Sequence, residues 1–85
     1  MASKIVTTEV GFNKIPVLEA DLLAVRSGLD REVALREAEC LYESVQHLVQ
    51  LGIHDGIGVS AETAWLCDFA LKAAYALRVA AGASA

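Results

Sequence analysis

The stretch that most constrains the fold of this 85-residue chain lies near its C-terminus, at residues 60–81. Wound into a helix, it is apolar on almost every side, with Ser60 placed as an N-cap and Glu62 in the first turn. A helix that is apolar all round is buried on more than one side, so it needs at least two packing partners. Its principal stripe is Leu66, Ala70, Ala73 and Leu77, and a second set toward the other side is Trp65, Phe69, Ala76 and Val79.

A second helical stretch, residues 30–51, is predicted to be one of these partners. Asp30 is a good N-cap for it, and Gly52 is the residue predicted to end it. Apolar residues recur in this stretch at steps of four and three, which is the spacing of one helix face. They are Ala34, Ala38, Leu41, Val45 and Leu48. We therefore predict an antiparallel helical hairpin, with Leu41 and Leu66 as core positions.

The first 29 residues differ from the rest, since they hold the only proline. Within them, every second residue from Val6 to Phe12 would share one face of a strand. This alternation predicts a strand at about residues 4–12, followed by a turn at Asn13 and Lys14. The apolar run at residues 22–25 is consistent with a second short strand. A two-stranded ribbon is not stable alone, so it must pack on the helices or pair across a dimer. The predicted fold is one α+β domain over residues 1–85, mostly helical, with residues 1–29 extended.

The composition predicts a subunit interface. Hydrophobic residues make up 55% of the chain and charged residues only 21%, whereas a domain of this size buries only about 60–65% of its unfolded surface. We predict that two copies pack into a four-helix bundle, because soluble monomers usually avoid exposing contiguous apolar patches. The interface residues would be Trp65, Phe69, Ala76 and Val79. The alternative is that the N-terminal ribbon shields this side of the helix within the chain.

The charge balance limits the partners. The net charge of −4 argues against nucleic acid and against an anionic membrane surface, because both need a basic face. No signal peptide and no membrane-spanning run is visible, so a cytoplasmic location is predicted. Cys40 and Cys67 are too few for a disulfide scaffold and are interpreted as reduced, packed thiols.

Groups of residues that resemble chemical sites have simpler interpretations. The loop at residues 52–59 is rich in glycine and precedes a helix, but it lacks the Gly-Lys-Ser/Thr ending of a phosphate loop and no strand leads into it. His54 and Asp55 within it are adjacent, so they do not face each other as a general-base pair. Cys40 and His47 stand about 10 Å apart along one helix, too far to share a metal. No catalytic residue, metal site or cofactor is predicted.

Two parts of the chain are similar to one known family. One is Leu23-Ala24-Val25-Arg26-Ser27-Gly28 followed by Ala34-Leu35-x-x-Ala38-x-x-Leu41, and the other is Ala64-Trp65 followed by Ala73-Ala74-x-Ala76-Leu77. Together they resemble a family of short Gram-negative bacterial proteins known only as a domain of unknown function, over roughly residues 22–79. The resemblance implies a small cytoplasmic helical protein and carries over no catalytic residue. The chain departs from that family in its longer glycine-containing loop and alanine-rich tail.

These observations predict a homodimeric interaction or adaptor protein that is not an enzyme. The alternative is a small DNA-binding regulator of the ribbon-helix-helix kind, because a short strand precedes two helices. Two features count against the alternative. The first helix, at about 22 residues, is too long for that motif, and the strand at residues 22–25 offers only Arg26 as a basic reader.

Overall fold

The computed structural model describes residues 6–17, 19–56 and 58–82 and contains an antiparallel hairpin followed by two helices. The strands are β1 (Val10–Ile15) and β2 (Ala20–Val25), and the helices are α1 (Arg31–His54) and α2 (Ala61–Ala80). The predicted α+β class, mostly helical, is confirmed at this level.

Helix α2 lies between α1 and the hairpin. Helix α1 packs on α2, and both strands pack on α2, but among these described elements α1 contacts neither strand. The molecule measures 55 × 33 × 16 Å, so it is flat. Faces of α2 between its two neighbours stay open, since Leu66 is 53% and Tyr75 is 51% exposed.

Both helices begin where the capping residues predict. The Oδ1 of Asp30 accepts a hydrogen bond from the backbone N–H of Glu32 at 2.8 Å, and the Oγ of Ser60 accepts one from the N–H of Thr63 at 3.1 Å. These bonds satisfy N–H groups that have no partner within the helix.

The predicted end of the first helix is wrong. Helix α1 continues through Gly52, which is buried, as far as His54. The chain leaves the helix at Gly56, whose φ of 71° lies in the left-handed region that glycine adopts without steric cost. The glycine that ends the helix is therefore one turn further along the chain than the sequence pattern indicates.

The first strand is displaced toward the C-terminus relative to its prediction. Residues 4 and 5 lie outside the described residues, and Val6 forms an isolated bridge with Asp30. Asn13, predicted in a turn, has a left-handed φ of 61° but lies inside β1. Asparagine tolerates this conformation better than most residues with a side chain. The residue that was predicted to form a turn therefore only distorts the strand locally.

The hairpin reverses direction after Ile15 instead. The N–H of Glu19 donates to the carbonyl oxygen of Pro16 at 3.1 Å. This turn places Val10 opposite Val25 and Phe12 opposite Leu23 across the two strands. Proline is favoured in turns because its φ is fixed, so Pro16 was the stronger turn signal.

The hairpin packs on α2 through a small core. Val25, Ala76 and Ala80 are buried together, and Val10, Phe12 and Leu77 pack against them. The ribbon is therefore stabilised by packing on a helix of its own chain, which is one of the two arrangements predicted for it.

The contact between the two helices uses smaller residues of α2 than predicted. Ala34, Ala38 and Val45 of α1 are buried as expected, and Leu41 is half-buried. On α2, however, the buried positions include Cys67 and Ala74, whereas Leu66 is 53% exposed. Small side chains let the helix axes approach closely, and this excludes the larger Leu66 from the contact. The prediction that Leu66 is a core position is wrong for the single chain.

Thr7 connects the N-terminal segment to the rest of the fold. Its side chain is 2% exposed, and its Oγ1 donates to the carbonyl of Arg26 at 2.7 Å while accepting from the N–H of Leu29 at 3.0 Å. Its backbone N–H donates to the carbonyl of Leu29, and its carbonyl accepts from the N–H of Gly28. The next residue, Thr8, donates its N–H to the carbonyl of Ala80 at the end of α2.

We expect Thr7→Val to lower the free energy of unfolding by about 2–3 kcal/mol, because it keeps the volume of the side chain but leaves a buried donor and acceptor without partners. Chemical denaturation measures this change. Thr8→Val is the matched control, because Thr8 is exposed and its Oγ1 lies 3.5 Å from its acceptor, so the expected change is within about 0.5 kcal/mol. Equal effects of the two substitutions would contradict the assigned role of Thr7.

Candidate functional site

Two glycine amides of the loop between the helices already form hydrogen bonds. The N–H of Gly56 donates to Ile53 and the N–H of Gly58 donates to Gly52, at 3.1 and 3.0 Å. Phosphate-binding loops depend on backbone N–H groups that point at the ligand. These two amides point back at α1, so they do not form a phosphate cradle.

The titratable residues and the thiols of the described part of the chain do not form a metal-binding cluster. No group of three or more His, Cys, Asp or Glu side chains is placed to hold a metal ion. Both cysteines are free thiols, but only Cys67 is buried, whereas Cys40 is exposed. The prediction that both thiols are packed is wrong for Cys40, which lies on the solvent side of α1. In the same described residues, neither helix is long and apolar enough to span a membrane.

The four residues predicted for the subunit interface lie toward the hairpin side of α2 and differ in exposure. Trp65 is 66% exposed and stacks on Phe69, with ring centroids 6.0 Å apart. Phe69 is half-buried and lies 6.1 Å from the ring of Phe12 on the hairpin. Ala76 is 1% exposed, and Val79 is half-buried. Part of this set is thus covered within the chain, and its role between two chains stays a prediction.

One open face of the helix pair carries a heptad pattern. We call it the heptad face, and it comprises Leu41 and Leu48 of α1 with Leu66, Ala70, Ala73 and Leu77 of α2. The α2 members follow steps of four, three and four, and the α1 members are seven apart, as in the seam of a helical bundle. Leu66 and Leu48 are 53% and 40% exposed, and the other members are half-buried. This face contains the principal stripe of the sequence pattern. Helix α1 leaves Leu66 open, whereas Leu77 packs in part against the core under the hairpin.

A groove lies on the opposite face of α2. Tyr75 stands about 180° around the helix from Leu66, at about 100° per residue. The groove has a volume of about 540 Å³ and reaches from the hairpin across α2 to α1. Its apolar walls and floor are Val10, Phe12, Tyr42, Leu71, Tyr75, Ala76 and Val79. Sequence periodicity placed several of these residues on apolar stripes, but the concavity depends on Tyr42 and the hairpin flanking one helix, which no local pattern reveals.

The strand that suggested a DNA-binding ribbon is engaged within its own chain. Strand β2 pairs along its length with β1. The two charged residues of the ribbon are Lys14 in β1 and Asp21 in β2, and they lie opposite each other in the register. The ribbon therefore presents no basic surface of the kind that phosphate contacts need.

No protein-family model, curated protein or solved structure matches this chain. The resemblance to a family of unknown function therefore stays a prediction.

Gly52→Ala tests the packing of the loop on α1. In an ordinary helix interior this substitution stabilises by about 0.5–1 kcal/mol. Here a Cβ at Gly52 would lie 2.5 Å from the carbonyl oxygen of Gly58, so we expect a loss of about 1–3 kcal/mol instead. Thermal denaturation measures it, with Gln50→Ala on the exposed side of the same helix turn as control. A higher melting temperature for Gly52→Ala would contradict the loop arrangement.

Proposed function

We propose that this chain is a homodimeric interaction module without enzymatic activity, in which two copies form a four-helix bundle through their heptad faces. The observation that carries the proposal is the heptad face itself, which has the spacing of a bundle seam but is left open in the single chain. Its two most exposed members, Leu66 and Leu48, are 53% and 40% exposed and lie on the two different helices of the hairpin.

A second copy of the chain suits this face because the face is self-complementary. Each copy contributes two antiparallel helices, so two copies supply the four helices that a bundle needs. Ala70 and Ala73 at the middle of the α2 stripe permit close approach, while Leu66 and Leu77 at its ends supply bulk. A two-fold axis brings the same patch of both chains together, which is the commonest arrangement of soluble oligomers.

The flat shape of the molecule favours the same conclusion. A molecule 16 Å thick leaves apolar residues such as Leu48 and Leu66 exposed outside the contacts between its elements. Fully burying a leucine contributes about 1.5–3 kcal/mol, and the dimer would bury the exposed parts of Leu48 and Leu66 from both copies. These contributions act against an association cost of about 4–15 kcal/mol, so the half-buried members of the face must also gain contacts.

The adaptor role follows from what this dimer leaves uncovered. The hairpin, Trp65 and the groove all lie outside the heptad face, so each dimer would present two copies of them. Two copies in one particle bind a two-site partner with an avidity beyond that of each site. Cys40 is an exposed free thiol, and free thiols persist in reducing compartments. This favours a cytoplasmic location.

Leu66→Glu should convert the dimer into a folded monomer. Its side chain is 53% exposed in the single chain, so a carboxylate there is tolerated by the protomer but buried without a partner in the dimer. We expect the dimer to weaken on the order of 100-fold or more. Light scattering coupled to size-exclusion chromatography gives the mass, and circular dichroism checks that the helices persist.

Ile53→Glu is the matched control, because Ile53 is 71% exposed on α1 and lies outside the heptad face. It should leave the mass of the dimer unchanged. A wild-type mass near 9.0 kDa over a wide concentration range would overturn the dimer. A Leu66→Glu protein that remains dimeric would show that the subunits meet elsewhere, with the predicted Trp65 and Phe69 surface as the next candidate.

A further inference from the structure

The groove opposite the heptad face has few polar lining residues. Beside its apolar walls, it is lined by Asn13, Tyr42, Tyr75 and Lys72. Lys72 is the one charged residue among the described residues that line the groove, and none of them is acidic. This stands out in a chain whose net charge is −4.

The position of Lys72 relative to the apolar walls indicates the shape of a ligand. Leu71, Tyr75 and Val79 lie four residues apart on successive turns of α2, and Val10 and Phe12 of the hairpin line the same groove. An aliphatic chain laid along these side chains would be buried on two sides. Lys72 also lines the groove, and its side chain is 54% exposed, so it lies at the rim.

We propose that the groove binds an amphipathic carboxylate, such as a medium-chain fatty acid, with its chain along the apolar walls and its carboxylate at Lys72. The volume of about 540 Å³ lies within the range of small-molecule sites, about 300–1,000 Å³. The site does not depend on the proposed dimer, because it lies on the other face of α2.

The contact that competes with this ligand is the ion pair between Lys72 and Asp68. The Lys72 Nζ lies 3.0 Å from the Asp68 carboxylate, and both side chains are more than half exposed. An exposed pair of this kind is weak, about 0–1 kcal/mol. A ligand carboxylate that is held by the groove walls can therefore replace Asp68 as the partner of Lys72.

Titration of the full chain with octanoate, below the concentration at which octanoate forms micelles, tests the proposal. Calorimetry gives the affinity, and methyl NMR gives the location. We expect the methyl signals of Val10, Leu71 and Val79 to shift, and those of Leu48 and Leu66 on the heptad face to stay in place. Leu66→Glu should bind octanoate as the wild type does, even if the proposed dimer fails, so the two proposals fail separately.

Two substitutions one helix turn apart should act in opposite directions. Lys72→Gln should weaken octanoate binding about tenfold, because it removes a charge-assisted hydrogen bond. Asp68→Asn should strengthen it by about two- to fivefold, because it frees Lys72 from its ion pair. Both residues are exposed, so both variants should fold like the wild type, and octanol should bind all three proteins alike.

Three results would overturn the proposal. The first is no binding of octanoate by the wild type, and the second is shifts confined to the heptad face. The third is octanoate binding that Lys72→Gln leaves unchanged, which would reduce the groove to an apolar surface without anion recognition. Octylamine is the charge-reversed probe, and its tighter binding would also contradict the assignment.

Discussion

The rest of the structure depends on the small side chains with which α2 meets its two neighbours. Ala74 is fully buried among the residues of the helix pair, and Ala76 is 1% exposed beneath the hairpin. Because these contacts are made by alanines, α1 and the hairpin both lie close to α2. The larger apolar residues of α2 cannot enter such narrow contacts, so they project from the two open faces. The heptad face and the groove are thus consequences of the same packing.

The close contacts also explain why a small polar cluster is needed at one end of the molecule. An alanine contact buries little apolar area, so it contributes little per residue at about 25 cal/mol per Å². Hydrogen bonds of Thr7 add stability at the place where the N-terminal segment, the linker before α1 and the end of α2 meet. Arg31 adds to this junction by donating from Nε to the carbonyl of Ala81 at 2.7 Å. These hydrogen bonds also satisfy backbone groups that would otherwise be buried without partners.

The sequence predicted the features that depend on local chemistry. The caps Asp30 and Ser60, the α1 stripe and the existence of two strands all follow from residue types at fixed spacing. What it could not predict depends on contacts between distant residues. Gly52 resembles a helix end, but the carbonyl of Gly58 needs the space of its missing side chain. The role of Thr7 had no local signal, because its partners lie about 20 residues away and were not placed by any pattern.

For the candidate surfaces too, local sequence patterns predicted one part and contacts between distant residues decided the rest. Periodicity identified two apolar sets on α2, but it could not decide which neighbour would cover which set. The hairpin covers Ala76 and contacts Phe69, while α1 leaves Leu66 open. Both open faces therefore belong to one helix, and their composition depends on which side of that helix each neighbour covers.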